Sequence, residues 1–163
     1  MSLKTIEKVT IKRVYIFNLI KLYKVSKILF LCGKNMADKY DLHHWNNSMI
    51  KNILIVFYCV LRNKIFLIYS NKNEIATFQY RKNNESIIFK KLAVHPIFEG
   101  KGIGKFCLQE IENICIKNNC NSIECEVYEK SERAIRFYER NGFRKEGFLE
   151  TLKYKEFKMK KMR

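Results

Sequence analysis

Proline is almost absent from this 163-residue chain, which holds one, Pro96, and glycine is sparse at six. That excludes a collagenous repeat, a Pro-rich linker and a Gly/Ser-rich disordered segment. Tryptophan occurs once, at Trp45, and histidine three times, at His43, His44 and His95. None of the six cysteines forms a C-x-x-C pair, and no Cys/His cluster has metal-ligand spacing. A zinc site is therefore not expected, and scattered cysteines in a chain with a full core read as small buried hydrophobes in a reducing compartment. Long apolar runs are missing too. The longest, Ile53–Leu61, has nine residues, against the roughly 20 needed to cross a bilayer. Lys21, Lys24 and Lys27 interrupt the apolar stretch that starts at Val14, and no small-residue cleavage site follows it. The expectation is a cytoplasmic protein with no membrane partner, its apolar run buried in the monomer.

Acidic side chains are the other shortage: 16 against 32 Lys and Arg, a net charge of +16. Residues 1–81 hold 14 basic and 4 acidic side chains, net +10; residues 82–163 hold 18 and 12, net +6. Such a surface draws in anions and repels polycations. A background rich in Lys, Asn and Ile accounts for much of the excess. What is present otherwise is ordinary: 47% hydrophobic residues and 29% charged, in a length that makes one domain burying about 70% of its unfolded surface.

Periodicity gives the element order. Thr5–Lys12 reads as a strand. From Val14 the spacing of Ile16, Leu19, Ile20, Tyr23, Phe30 and Leu31 predicts one apolar helix face, ending near Gly33. Residues 34–47 are polar and irregular. A helix capped near Asn47–Ser48 runs to about Arg62. Lys64–Ser70, Glu74–Tyr80 and Ser86–Val94 follow as a meander. A helix from Lys105 to about Asn118 buries Cys107, Leu108, Ile111, Ile114 and Cys115. Ser122–Tyr128 is a strand, Ser131 caps a short helix ending at Asn141-Gly142, and Phe143–Phe148 and Leu152–Met159 are the last strands. The order β-α-α-β-β-β-α-β-α-β-β predicts an α/β (mixed α+β) single domain over residues 1–163, with a mixed sheet of six to seven strands and one parallel crossover.

The stretch Phe98-Glu99-Gly100-Lys101-Gly102-Ile103-Gly104-Lys105 joins a strand to a helix. Three glycines let the backbone turn tightly against a ligand, and the helix then offers unpaired N–H groups and a positive dipole end. That is the chemistry of a phosphate or pyrophosphate cradle; a plain turn is the alternative. A Walker A loop is excluded, because Glu99 stands where its first glycine belongs and Phe106 where Ser or Thr would follow the lysine. The G-x-G-x-G spacing also departs from the dinucleotide fingerprint.

Three motifs together are more specific than the loop. Leu92-Ala93-Val94-His95-Pro96, then Gly100-Lys101-Gly102-Ile103-Gly104, then Ala134-Ile135-Arg136-Phe137-Tyr138-Glu139-Arg140-Asn141-Gly142-Phe143 resemble, in order and spacing, the GNAT superfamily of acyl-CoA-dependent N-acetyltransferases. The resemblance covers residues 64–148; the first part fits only in its order of elements. In the family pattern [QR]-x-x-G-x-[GA], Gly102 and Gly104 match but Glu99 replaces Gln or Arg. Ser131 replaces the Asn common at the later helix cap.

The resemblance implies acetyl-CoA as cosubstrate and splayed strands holding its pantetheine arm against the backbone of Leu92, Ala93 and Val94. It implies that the loop Glu99, Gly100, Lys101, Gly102, Ile103, Gly104 and Lys105 holds the pyrophosphate, with Ser131 and Tyr138 also on the cofactor. A backbone N–H, that of Val94, would polarise the thioester carbonyl. Tyr138 matches the family's acid for the departing thiolate. The general base is open. Glu126 and Glu124 share one strand face, and His95 is a third candidate; Glu126 is the one carried forward. On the acceptor side, the segment around Asp38, Asp41 and the two histidines offers acids beside Trp45, the first choice for a substrate contact. The expected acceptor is a small-molecule or protein primary amine, and self-association as a homodimer stays open. Two other classes compete: a GNAT-like fold that binds acyl-CoA without catalysis, and a basic nucleic-acid module using Tyr154, Phe157 and Lys158, which is not expected to prevail.

Overall fold

The computed structural model describes residues 9–40, 48–150 and 154–163. Among them the elements run β1 (Val9–Val14), α1 (Leu19–Tyr40), α2 (Met49–Arg62), β2 (Lys64–Ser70), β3 (Asn73–Asn83), β4 (Ser86–Val94), α3 (Ile103–Lys117), β5 (Ser122–Tyr128), α4 (Glu132–Arg140), β6 (Arg144–Glu150) and β7 (Lys155–Met162). The strands form one mixed seven-stranded sheet of order β1-β2-β3-β4-β5-β7-β6. The chain divides into two compact units, Met1–Arg81 with Lys91–Gln109, and Lys82–Lys90 with Glu110–Arg163.

In the first unit β1 and β2 are antiparallel, Val14 opposite Ile65, and β2 continues antiparallel into β3. Asn71 and Lys72, at φ 47° and 69°, make the two-residue turn that the right-handed twist of a hairpin favours. Val14, Leu22, Val25, Ile28, Val56, Ile65, Leu67 and Ala93 form the core.

Four helix expectations are corrected here. The first helix starts at Leu19 and not at Val14, because Val14 is the last residue of β1 and lies in the core. Asn18 sets the start: its Oδ1 accepts from the Lys21 N–H at 3.0 Å and its carbonyl from the Leu22 N–H at 3.0 Å. The helix does not end near Gly33, which is buried within it, but runs on to Tyr40. Its inward face is also different. Leu22, Val25, Ser26, Ile28, Gly33 and Ala37 are buried, and Leu19, Ile20 and Tyr23 are exposed. Ser26 is tolerated inside because its hydroxyl donates to the Leu22 carbonyl at 2.8 Å. Lastly, α2 is capped by Ser48 as expected, but of the run Ile53–Leu61 expected to be interior only Val56 is fully buried, with Cys59 and Val60 partly buried against the core.

In the second unit β4 and β5 pair in parallel, Ser86 to Ser122 and Ile88 to Glu124, and β7 lies antiparallel between β5 and β6. Phe89, Tyr138 and Phe143 form an aromatic triad with centroids 5.5–6.0 Å apart. Around it Ile87, Ile111, Cys115, Ile123, Cys125, Val127 and Met159 are buried. The last hairpin is read from residues 144–150 and 155–162; the part of the expected last strand at 152–153 lies outside the described residues.

The buried face of α1 decides its stability. Leu22→Ala should cost about 2–5 kcal/mol, whereas Ile20→Ala should change stability by less than about 0.5 kcal/mol, both read from urea unfolding midpoints. Equal losses would mean that the face is wrongly assigned.

Candidate functional site

The first unit carries the glycine loop. Lys91, inside β4, has φ 51°, a left-handed conformation that costs an L-residue about 1–2 kcal/mol and bends the strand just before Leu92–Val94. Leu92 and Val94 are half-buried and Ala93 is buried. The Val94 carbonyl accepts from the Cys32 thiol at 3.2 Å. Burial, and secondarily Glu99, pushes that thiol up to about 12.

Past Val94 the chain turns at once. The His95 N–H donates to the Ile75 carbonyl at 2.8 Å, and His95 Nδ1 accepts from the Ile97 N–H at 3.4 Å, capping the single 3-10 turn Pro96–Phe98. The His95 ring meets Phe98 edge-on at 5.7 Å. One of its two nitrogens is therefore spent on the turn. Gly100 and Gly102 follow at φ 76° and 80°, where glycine avoids the Cβ penalty. Glu99, Gly100, Lys101 and Gly102 are exposed, and Ile103 drops into the core to start α3. The Gly102 carbonyl accepts from the Phe106 N–H at 3.0 Å. The N–H groups of Ile103, Gly104 and Lys105 therefore lie in the first turn, where no intrahelical acceptor exists. No acid sits in that turn to occupy them. Lys101 lies over the Phe98 ring at 5.2 Å, and Lys105 is exposed. This geometry suits an anionic phosphate group. Glu99 is the one charge against it.

The second unit holds the other candidates. Strand alternation puts Glu124 and Glu126 on one face of β5 and Ile123, Cys125 and Val127 on the other. Glu124 Oε1 accepts from the Ser86 hydroxyl at 2.9 Å and faces Lys160 at 3.5 Å. Glu126 Oε2 pairs with the Lys90 ammonium at 2.8 Å. Glu156, opposite Tyr128 on β7, is raised above the usual carboxylate range by its burial and then by Glu126, with Lys90 opposing. Tyr154, edge-on to Tyr128 at 6.1 Å, is raised by burial and by Glu156 and Glu126. Tyr138 sits on the other side: it packs on Phe89, and Phe89 and Lys90 point to opposite faces of β4. The structure thus does not join Glu126 and Tyr138 in one proton relay. Ser131 stands at the N-cap of α4, but its side chain makes no capping hydrogen bond, contrary to expectation. Trp45, Asp41, His43 and His44 lie outside the described residues. Asp38 is on the last turn of α1 and not in an irregular segment.

Residues 62–145 match the family model described as an acetyltransferase (GNAT) domain. The chain belongs to the GNAT acetyltransferase family.

Solved structures carry the same fold. The PaiA N-acetyltransferase of Thermoplasma acidophilum, in complex with coenzyme A, is 21% identical with a TM-score of 0.71, over 96% of this chain and 100% of its own. The ribosomal-protein-alanine N-acetyltransferase of Escherichia coli is 16% identical with a TM-score of 0.68, over 95% and 94%. An aminoglycoside acetyltransferase in complex with coenzyme A is 17% identical with a TM-score of 0.70, over 96% and 95%. At these identities the likeness establishes the fold.

Two features of this GNAT domain escape a reading of the sequence. Lys91 gives no signal of its left-handed backbone, because Asn or Gly is the residue that announces one. Glu156 lies in a run of alternating Lys and apolar residues that reads as an edge strand, and only its register opposite Tyr128 brings it near Glu126. Among the described residues no group of His, Cys, Asp and Glu could hold a metal.

The environment of Glu156 has a pH signature. A carboxyl group raised in the folded state stabilises the fold below its unfolded value and loses that contribution as pH rises through the folded value. Glu156→Gln should therefore raise the thermal midpoint at pH 7 relative to the parent and leave it unchanged near pH 4. An unchanged difference between the two pH values would show that the group is not raised.

Proposed function

We propose that this chain is an acetyl-CoA-dependent N-acetyltransferase acting on a primary amine. The observation that carries the reading is the exposed turn of Gly100 and Gly102 into the acid-free first turn of α3, within a chain of the GNAT family. The N–H groups of Gly100–Lys105 would hold the pyrophosphate, with Lys101 and Lys105 as further cations. The backbone of Leu92–Val94 would carry the pantetheine arm, and the Val94 N–H would stabilise the charge that builds on the thioester oxygen.

The reaction forms an N–C bond and breaks a C–S bond. The ammonium must lose a proton first, and the thiolate must gain one. Glu126 takes the first proton, directly or through water, and Tyr138 supplies the second. Each turnover leaves Glu126 protonated and Tyr138 ionised, and with the two on opposite faces the proton returns from one to the other through solvent. The net charge of +16 favours an anionic cosubstrate and disfavours polycationic acceptors. Amine acceptors ranging from an aminoglycoside to a ribosomal-protein alanine stand in the names of proteins with this fold. Six free thiols suit the reducing cytoplasm, where we place the protein.

One observation favours a second reading, an acyl-CoA binder without catalysis. The candidate base is already paired with Lys90. An acceptor has to displace that lysine or share the carboxylate with it.

Acetyl-CoA at about a hundred times its Kd should stabilise the fold by about 2.7 kcal/mol, seen as a rise in thermal midpoint well above that given by ATP. Gly104→Asp, which puts a carboxylate into the cradle, should abolish the rise. A rise retained in that variant would remove the loop from the site. Tyr138→Phe keeps the packing and removes the donor. It should leave the acetyl-CoA shift intact and lower kcat for an accepted amine by about 10²-fold or more. Thiol release without loss in that variant would dismiss the acid role, and no release with any amine would favour the silent binder.

A further inference from the structure

The outward face of α2 is apolar. Ile50, Leu54, Phe57 and Leu61 are 71, 63, 42 and 63% exposed, and Tyr58 beside them 54%. Their spacing of four, three and four residues puts them in one row. A single exposed leucine is ordinary, but a continuous row of five large side chains is not. The helix is apolar on both sides: its inner side holds Val56 with Cys59 and Val60 against the core and Asn52 beside them, and its solvent side holds the exposed row. The start of α1 follows the same trend, with Leu19 and Ile20 exposed and Phe17 just before it 92% exposed.

Charge selects the occupant. α1 and α2 together carry six lysines and Arg62 against Asp38 alone. A second copy would bring the same cations against only Asp38 and the Glu74 already paired with Lys24, on a protein at +16. The fitting surface is apolar in depth and anionic at its rim, which describes a bilayer containing acidic lipids. The flanking cations are suitably placed. On a helical wheel Lys51 and Arg62 fall together on the flank next to Tyr58, and the Arg62 guanidinium lies 4.9 Å from the Tyr58 ring centroid. With 14 residues α2 is about 21 Å long, and no helix among the described residues is long and apolar enough to cross a membrane. The helix therefore lies on the surface. The expected absence of a membrane partner rested on the lack of a spanning or secretory segment, which does not bear on a helix lying in the interface; the separate expectation that the run is buried in the monomer is corrected by the exposed row.

We propose that α2 docks this protein on an anionic bilayer, with Ile50, Leu54, Phe57 and Leu61 in the acyl boundary and Lys51 and Arg62 at the lipid phosphates. The proposal is independent of acetyl transfer. Its test is co-sedimentation of the full chain with phosphatidylcholine vesicles and with vesicles containing about a third phosphatidylglycerol, across a salt series. Binding should be strong only to the anionic vesicles and should weaken with salt. The double variant Leu54→Gln, Leu61→Gln should bind about tenfold more weakly or less, with its far-UV circular dichroism and thermal midpoint retained. Lys51→Gln should weaken binding about fivefold. Failure to bind either vesicle overturns the proposal. Undiminished binding by the double variant overturns it too, since the attraction would then be generic charge. So does a dimer in sedimentation velocity that the double variant splits, which would give the face to a second copy.

Discussion

The turn from β4 into α3 uses two left-handed residues within three positions, Gly100 and Gly102, and the cradle depends on that backbone constraint. Nothing in the loop needs a particular side chain to present an anion with N–H groups. What it needs is a chain that reverses quickly enough to leave the first turn of α3 facing outward. Pro96 and the His95 cap begin the reversal, the glycines complete it, and Ile103 anchors the far end in the core. The exposure of residues 99–102 follows from the same geometry.

Much of this was legible because it is written in local chemistry. The Asn-Lys hairpin turn, the glycine loop, the strand alternation of β5 and the glycine after α4 each depend on residues within a few positions of one another. The parallel pairing of β4 and β5 followed from the intervening helix. What failed to be legible depends on which face of an element finds a partner. Helix α1 carries apolar residues on two faces, and a period of 3.6 residues reports both equally. Packing chose Leu22, Val25 and Ile28 over Leu19, Ile20 and Tyr23. The uninterrupted apolar run of α2 hid its exposed row in the same way, because a helix that is apolar almost all round has no pattern to betray its outer side. In the site, Tyr138 and Glu126 were found as residue types at suggestive positions. Their separation onto opposite faces emerged only from the packing of Tyr138 on Phe89.

The second unit manages its charge differently from the first. Its carboxylates are mostly engaged: Glu112 with Lys161, Glu124 with Lys160, Glu126 with Lys90, Glu139 with Lys145 and Glu150 with Lys155. Each exposed pair is worth little on its own. Together they leave the sheet face a mosaic and not a single-signed field. The first unit has few acids; Lys24 pairs with Glu74, and Lys12 and Lys24 lie over Tyr69, Lys64 over Tyr80 and Lys101 over Phe98, as Lys145 and Lys155 lie over Phe157 and Phe148 in the second unit.

The hydrogen bond from Cys32 to the Val94 carbonyl ties the middle of α1 to the last residue of β4. Only a protonated sulfur can make it. With its thiol pushed up to about 12, Cys32 keeps that proton throughout the physiological range and offers almost no thiolate to oxidants or electrophiles. The sulfur therefore acts as a fixed hydrogen-bond donor beside the strand end that leads into the glycine loop.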